Sequence, residues 1–265
     1  MPAPLLPRVR LRPGIRVAAR GPGSLQVGAH HDQRLLLADT PDVRRLLALL
    51  RHGVDPGGLP PRDRSLCAEL SEAGLLTSPD EDTVRERARA AAQVRLDCPA
   101  PVRPVLGRLL AAAGLPEAGP GRLGTVLLVV SWGAEPDRER LAESVRADVP
   151  HLLLTAVAGR LRLGPCVVPG LTACLRCVDE HLADVDPRHP LVVEQHRTPD
   201  AEDRVPTADL QLALAWAVRD LVSLVEGDRP ATWSTTVELL RDGAVIRSWR
   251  RHPRCGCAWG DRLAG

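Results

Sequence analysis

Two pairs of cysteines carry the clearest chemical signal in this 265-residue chain. Cys174-Leu175-Arg176-Cys177 is C-x-x-C, and Cys255-Gly256-Cys257 is C-x-C. A loop that short turns two thiolates toward one ion. Two such loops complete a tetrahedral set of four sulfurs, a shell that suits zinc. Gly256 can take backbone angles that other residues avoid, which helps a knuckle fold around a metal. The competing reading is a redox C-x-x-C with an unrelated C-terminal pair. Leu175-Arg176 is not an inviting pair for a redox motif, so the expected ligands are Cys174, Cys177, Cys255 and Cys257 around structural zinc.

The other three cysteines look inert. Cys67 falls on the apolar face of an expected helix, and Cys98 and Cys166 stand alone, as small buried side chains do. His181, Asp184, Asp186 and His189 follow the first cysteine pair closely. They could form a second metal site, although solvated loop and helix-end residues are the simpler account. The Arg-rich stretch 247–254 could meet an acidic partner or be a solvated strand face.

Composition restricts the chemistry further. The chain contains no Lys, Asn, Tyr or Phe, so all 35 basic residues are Arg. A Schiff-base lysine, a lysine on a nucleotide phosphate and an active-site Asn are therefore excluded. A net charge of +2 and no dense basic stripe disfavour a nucleic-acid binder. No apolar run is long enough to span a membrane, and residues 1–10 lack the apolar core of a signal peptide, so a cytoplasmic protein is expected.

The elements that must position the cysteines follow from periodicity. Residues 14–38 read as three short antiparallel strands with corners at 21–24 and 31–32. Thr40 and Pro41 open a helix with Val43, Leu46, Leu47 and Leu50 on one face, closed by Gly53. A second helix is expected within 61–76. Together these resemble a winged helix. The polar stretch 77–82 reads as a boundary between domains at 1–80 and 81–265, with a helical connector from 83 to 92. Beyond it, strands at 93–96, 125–131, 151–156 and 161–168 alternate with helices at 102–113 and 137–147, an α/β pattern with parallel strands. A polar connection over 184–204, a helix capped at Thr207 and a terminal hairpin at 233–249 complete the expectation.

Gly164-Pro165-Cys166-Val167-Val168-Pro169-Gly170-Leu171-Thr172-Ala173-Cys174-Leu175-Arg176-Cys177 closely resembles the ThiF/MoeB-like, ubiquitin-activating-enzyme-like superfamily. His252-Pro253-Arg254-Cys255-Gly256-Cys257 is similar to the second half of the zinc site in its branch associated with azoline-forming cyclodehydratases, as in bacteriocin biosynthesis. The resemblance implies an N-terminal winged-helix-like domain that binds a leader peptide, followed by a degenerate Rossmann-like ThiF domain with a four-cysteine zinc site.

Active members of that superfamily place a glycine-rich turn after their first strand, where backbone N–H groups meet phosphates. Here Val94-Arg95-Leu96 runs into Asp97-Cys98-Pro99-Ala100-Pro101-Val102, with two prolines and no glycine. The family's Asn and Lys cannot be present, and no cysteine lies between Cys177 and Cys255. Gly119-Pro120-Gly121-Arg122-Leu123-Gly124 matches G-x-G-x-x-G but precedes a strand, the wrong order for a phosphate loop, and reads as a connector.

The expected chain is thus a scaffold without ATP or catalytic residues. It would bind a precursor peptide and present it to a YcaO-type cyclodehydratase or another maturation enzyme. The alternative is an active ATP-dependent adenylyltransferase that activates a C-terminal carboxylate. Related domains often pair, which leaves a homodimer open; neither membrane nor nucleic acid is expected as a partner.

Overall fold

The computed structural model describes residues 8–119, 121–122, 124–199 and 205–257. The chain divides into two compact units, Met1–Arg87 and Ala88–Gly265.

In the first unit the three expected strands form an antiparallel sheet in the order β2 (Val17–Gly21), β3 (Ser24–His30), β4 (Gln33–Ala38). Gly28 adopts φ +86°, and a Cβ there would lie 2.3 Å from the Gln33 carbonyl oxygen, so this corner requires glycine. Helix α1 (Pro41–His52) begins as expected, with the Thr40 hydroxyl accepting from the Val43 N–H, and it ends at Gly53. Helix α2 is Pro61–Glu72. Leu46, Leu47 and Leu50 of α1 and Cys67 and Leu70 of α2 bury against Leu25 and Val27 of β3.

The polar stretch 77–82 is not an open linker. β5 (Leu76–Thr77) pairs antiparallel with a short β1 (Arg10–Leu11), and helix α3 starts at Pro79 and runs to Ala91. Asp82 accepts from the Thr77 hydroxyl and pairs with Arg10, which draws these polar side chains into regular structure.

The second unit is built on a six-stranded mixed sheet: β6 (Val94–Asp97), β7 (Val126–Trp132), β8 (His151–Val157), β9 (Arg160–Val167), β10 (Thr235–Leu240) and β11 (Gly243–Ser248). The strands lie side by side in chain order; β6, β7 and β8 are parallel and the rest antiparallel. Helix α4 (Arg103–Ala112) and helix α8 (Thr207–Val225) cover one face, through Leu106, Leu110, Leu214 and Leu221 against Leu128, Leu152 and Leu154. Helix α5 (Arg138–Arg146) and helix α6 (Leu175–Val185) cover the other, through Leu141, Leu175 and Val178 against Leu127, Val129 and Leu153. Consecutive residues of β7 thus serve opposite cores, which explains its unbroken apolar run.

Beside β6 the chain makes one further, isolated parallel bridge. After α4 the chain returns along the outer edge of β6, where Glu117 bridges Val94 in parallel. The Val94 N–H donates to Pro116 O at 2.9 Å, and the Ala118 N–H to Val94 O at 2.8 Å. The chain then crosses to β7 on the other side of β6. The direction of winding therefore reverses at β6, the kind of place where open α/β sheets form a ligand crevice.

Three expectations need correction. The strand expected at 161–168 is not parallel: only two residues separate β8 from β9, too few for a crossover, so the two form an antiparallel hairpin. The polar connection over 184–204 contains the end of α6 and a further helix, α7 (His189–Gln195); residues 200–204 lie outside the described set. Thr207 does not cap α8: Pro206 is the N-cap and no side chain caps this end. In the G-x-G-x-x-G match, Pro120 and Leu123 lie outside the described residues.

Helix α8 is fixed by a buried acid. Asp220, 1% exposed, accepts from the Thr232 N–H at 2.9 Å and from its hydroxyl at 2.6 Å. Asp220→Ala would strand both donors and is expected to cost about 3 kcal/mol. The measurement is the denaturant midpoint followed by tryptophan fluorescence.

Candidate metal centre

The four cysteines of the two pairs converge, with every sulfur within 4.8 Å of the others. Cys174 Sγ lies 3.8 Å from Cys177 Sγ and 3.3 Å from Cys255 Sγ, and Cys177 Sγ lies 3.4 Å from Cys257 Sγ. None is in a disulfide. A tetrahedron with metal–sulfur bonds of about 2.3 Å has edges of about 3.8 Å, so the cluster could hold a metal ion with little adjustment.

Each half is delivered by different means. The loop 168–173 after β9 is closed by the Thr172 hydroxyl, which accepts from the Val168 N–H at 2.8 Å. Cys174 is the N-cap of α6, and Cys177 lies in its first turn, facing the interior. The C-x-x-C therefore does open a helix, as a redox motif would. What sets it apart is the second pair packed upon it. That pair is delivered by the β10–β11 hairpin, whose two-residue turn Arg241-Asp242 returns the chain toward Trp249. The Trp249 N–H donates to Ser234 O at 2.7 Å, and its indole N–H to the Thr236 hydroxyl at 2.9 Å. Cys255, Val167 and Ala173 are buried around the sulfurs, with Trp249 packed against them.

Electrostatics point the same way. Cys177 is driven far below the usual thiol range because Cys174, then Cys255 and Cys257, hydrogen-bond to its thiolate. Cys174 is driven far above it, because Cys177 holds its proton and Cys255, Cys257 and burial add to the effect. Cys257 is lowered too, first by its hydrogen bond with Cys174, so negative charge gathers on neighbouring sulfurs. A divalent ion would relieve their repulsion.

A second layer supports the knuckle, and the sequence hid half of it. His181 and Asp184 meet His252, not Asp186 and His189. His252 Nε2 donates to Asp184 at 3.0 Å, its Nδ1 accepts from the Arg254 N–H at 3.2 Å, and its carbonyl accepts from the Cys255 N–H at 3.0 Å. His181 Nε2 donates to Arg250 O at 2.9 Å, and its ring meets His252 edge-on at 4.7 Å. Arg254 pairs with Glu180 and Asp184. These ring nitrogens already have protein partners, so the group is a clasp between α6 and the knuckle. Asp186 accepts from the Arg188 N–H, while His189 faces Asp179. Much of the Arg-rich stretch is thus engaged within the chain. No metal signature could have singled out His252; only its place two residues before Arg254 hinted at the role.

The remaining cysteines are raised above the usual thiol range. Burial, then Asp63, pushes Cys67 up to about 11, and burial, then Asp220, pushes Cys166 up to about 12. Burial also raises Cys98.

The crevice at β6 has a different character. At the start of α4, the Val102 and Val105 N–H groups bond to Pro99 O and Val102 O, and Pro104 has no N–H. Arg103 is paired with Glu117, and Arg140 with Asp97 at 2.9 Å. Two backbone donors and two cations near the crevice are thus engaged within the protein.

Protons compete with a metal for the thiolates, so metal affinity should fall as pH falls, seen as release to a colorimetric chelator. Asp184→Ala, which removes the partner of His252, should weaken metal binding by about tenfold in the same assay.

No family model matches the chain, and no curated protein matches it. Its fold matches solved structures. The heterocyclase TruD superposes with a TM-score of 0.72 at 17% identity, over 95% of this chain and 42% of that one. A heterocyclase in complex with substrate and cofactor gives 0.69 at 17% identity, over 96% and 40%. E. coli MccB with ATP gives 0.65 at 13% identity, over 94% and 99%. The chain thus spans about two-fifths of the length of the two heterocyclases and nearly all of MccB. At this level of identity the likeness is one of fold, and it is the fold that the cysteine-bearing segments imply.

Proposed function

We propose that this chain is a scaffold of ribosomal-peptide maturation. Its N-terminal unit binds a precursor (leader) peptide, and its second unit, stapled by zinc at Cys174, Cys177, Cys255 and Cys257, engages a YcaO-type cyclodehydratase or another maturation enzyme. The observation that carries this reading is the outer edge of β4. No strand pairs with it among the described residues. It has Leu36 half exposed at 50% and Leu35 and Leu37 half buried on its other face. An extended peptide could add there as a fourth strand, with main-chain hydrogen bonds supplying affinity and apolar pockets supplying specificity. The likeness to a heterocyclase solved with its substrate supports the reading, since the match covers two-fifths of that protein and a partner could supply the remainder.

The crevice at β6 argues against independent catalysis. Phosphate recognition needs free N–H groups at a helix start, and here Pro104 has no N–H while the Val102 and Val105 amides are bonded within the protein. Asp97 adds a carboxylate at the strand end. The competing reading, an ATP-dependent adenylyltransferase, is favoured by the match to nearly the whole of MccB, a protein solved with ATP. No helix among the described residues is long and apolar enough to cross a membrane.

Full-length protein should bind a labelled precursor peptide encoded near its gene, and Leu36→Glu should weaken that binding about tenfold with metal content unchanged. Failure to bind any such peptide would sink the scaffold reading. Elemental analysis should return one zinc per chain. Pyrophosphate exchange with carboxylate substrates should stay at background; measurable exchange would establish the adenylyltransferase instead.

A further inference from the structure

The three strands of the first unit's sheet contain no Asp or Glu. Cross-strand register puts Ala18, Gln26 and Leu36 in one row on the face turned away from the core. Their neighbours Leu25 and Val27 are the ones buried beneath α1 and α2. Arg34 lies two residues before Leu36 on β4 and so shares that outer face. Arg16, two residues before Ala18, continues the ladder of β2: its carbonyl accepts from the Gly28 N–H at 2.9 Å. Gly28 is also the neighbour of Arg34, since a Cβ there would lie 3.3 Å from Arg34 Cα. The row at this level is therefore Arg16, Gly28, Arg34, with no side chain in the middle. Arg20 adds a third cation at the irregular end of β2.

Arg16, Arg20 and Arg34 make no ion pair among the described residues. Other arginines of the same unit do: Arg10 is held by Asp82, Arg44 by Asp39 and Arg45 by Asp63. The outer face of the sheet thus keeps a positive charge that the rest of the unit neutralises. It borders the edge of β4 that no described strand pairs with. On the opposite face of β4, Leu35 and Leu37 are half buried at the rim of the core. A strand added to this edge meets two environments that alternate along it, an apolar rim on one side and Leu36 with Arg34 on the other. Cations along an edge repel basic strands and leave it open to acidic ones.

We propose that the peptide bound at β4 is an acidic one: an extended segment with apolar residues at every second position, against Leu35 and Leu37, and a carboxylate between them that meets Arg34. The inference rests on the leader-peptide reading of this edge and adds the class of peptide that the edge selects. A guanidinium fork can hold a carboxylate through two N–H groups at once. Arg16 and Arg20, farther from the edge, contribute longer-range attraction that favours encounter with an acidic chain.

The test is fluorescence anisotropy of full-length, zinc-loaded protein with three labelled peptides. One is Gly-Ser-Val-Glu-Val-Glu-Val-Ser-Gly, and the others carry Gln or Arg in place of both Glu. The Glu peptide should bind, the Gln peptide about tenfold more weakly and the Arg peptide not at all. Added salt should narrow the gap between the Glu and Gln peptides. Arg34→Gln should remove that gap, and Arg34→Glu should invert the order, so that the Arg peptide binds best. A variant that merely failed to fold would bind none of the three. Equal binding of the Glu and Gln peptides, binding of none of them by the unaltered protein, or an order indifferent to both substitutions would overturn the inference. A DNA duplex that binds more tightly than the Glu peptide, and is weakened by Arg34→Glu, would overturn it in favour of nucleic acid. If the precursor peptide encoded near the gene is weakened by Leu36→Glu but not by Arg34→Glu, this inference fails and the leader-peptide reading stands.

Discussion

Four sulfur atoms within 4.8 Å of one another set the terms for the second unit. They draw a helix start in the middle of the chain and a knuckle some 80 residues later into one buried cluster. Such packing conflicts with four negative charges and equally with four protons competing for the same space. A divalent ion would resolve both. In the hairpin, β10 is anchored on β9 while β11 is exposed along its length. Its anchors are the Trp249 bonds at one end and the clasp of Asp184, His252 and Arg254 beyond it.

The sheet turns the same residues to two purposes. Alternate positions of β7 feed the core under α4 and α8 and the core under α5 and α6. The second of these cores leads directly to the cysteine cluster, since Leu175 and Val178 flank Cys177 on α6. The first leads to the crevice at β6. There a single parallel bridge joins Glu117, which pairs with Arg103, to the edge of β6. Near this crevice Arg140 is likewise held by Asp97. The sheet is the platform on which both halves of the cysteine cluster stand.

The first unit relies on none of this. Its core is a helical face, Leu46, Leu47 and Leu50, laid against Leu25 and Val27, with Gly28 allowing a tight approach of backbone to backbone. Among the described residues no strand pairs with the outer edge of β4 in spite of its apolar side chains, and such edges are normally blunted by charge or covered.

Much of this was legible in the sequence because it is local. Turn residues at 21–24, the Thr40–Pro41 cap and the periodicities of α1, α5 and β7 depend on neighbours within a few residues, and each element appears where those signals place it. The cysteine spacings likewise announced two ligand pairs. What the sequence could not determine depends on distant partners. The two-residue ladder of β1 and β5 has no period to read, and the bridge at Glu117 is defined only by the β6 edge it meets. α7 is short and polar outside its middle, so it resembled a loop. His252 joined the clasp, and Asp186 and His189 did not, because helix geometry and the hairpin's return path decide which side chains face each other. Residue type and short spacing established which chemistry was available; only tertiary packing decided which groups were neighbours, because burial and Coulomb forces act across space rather than along the chain.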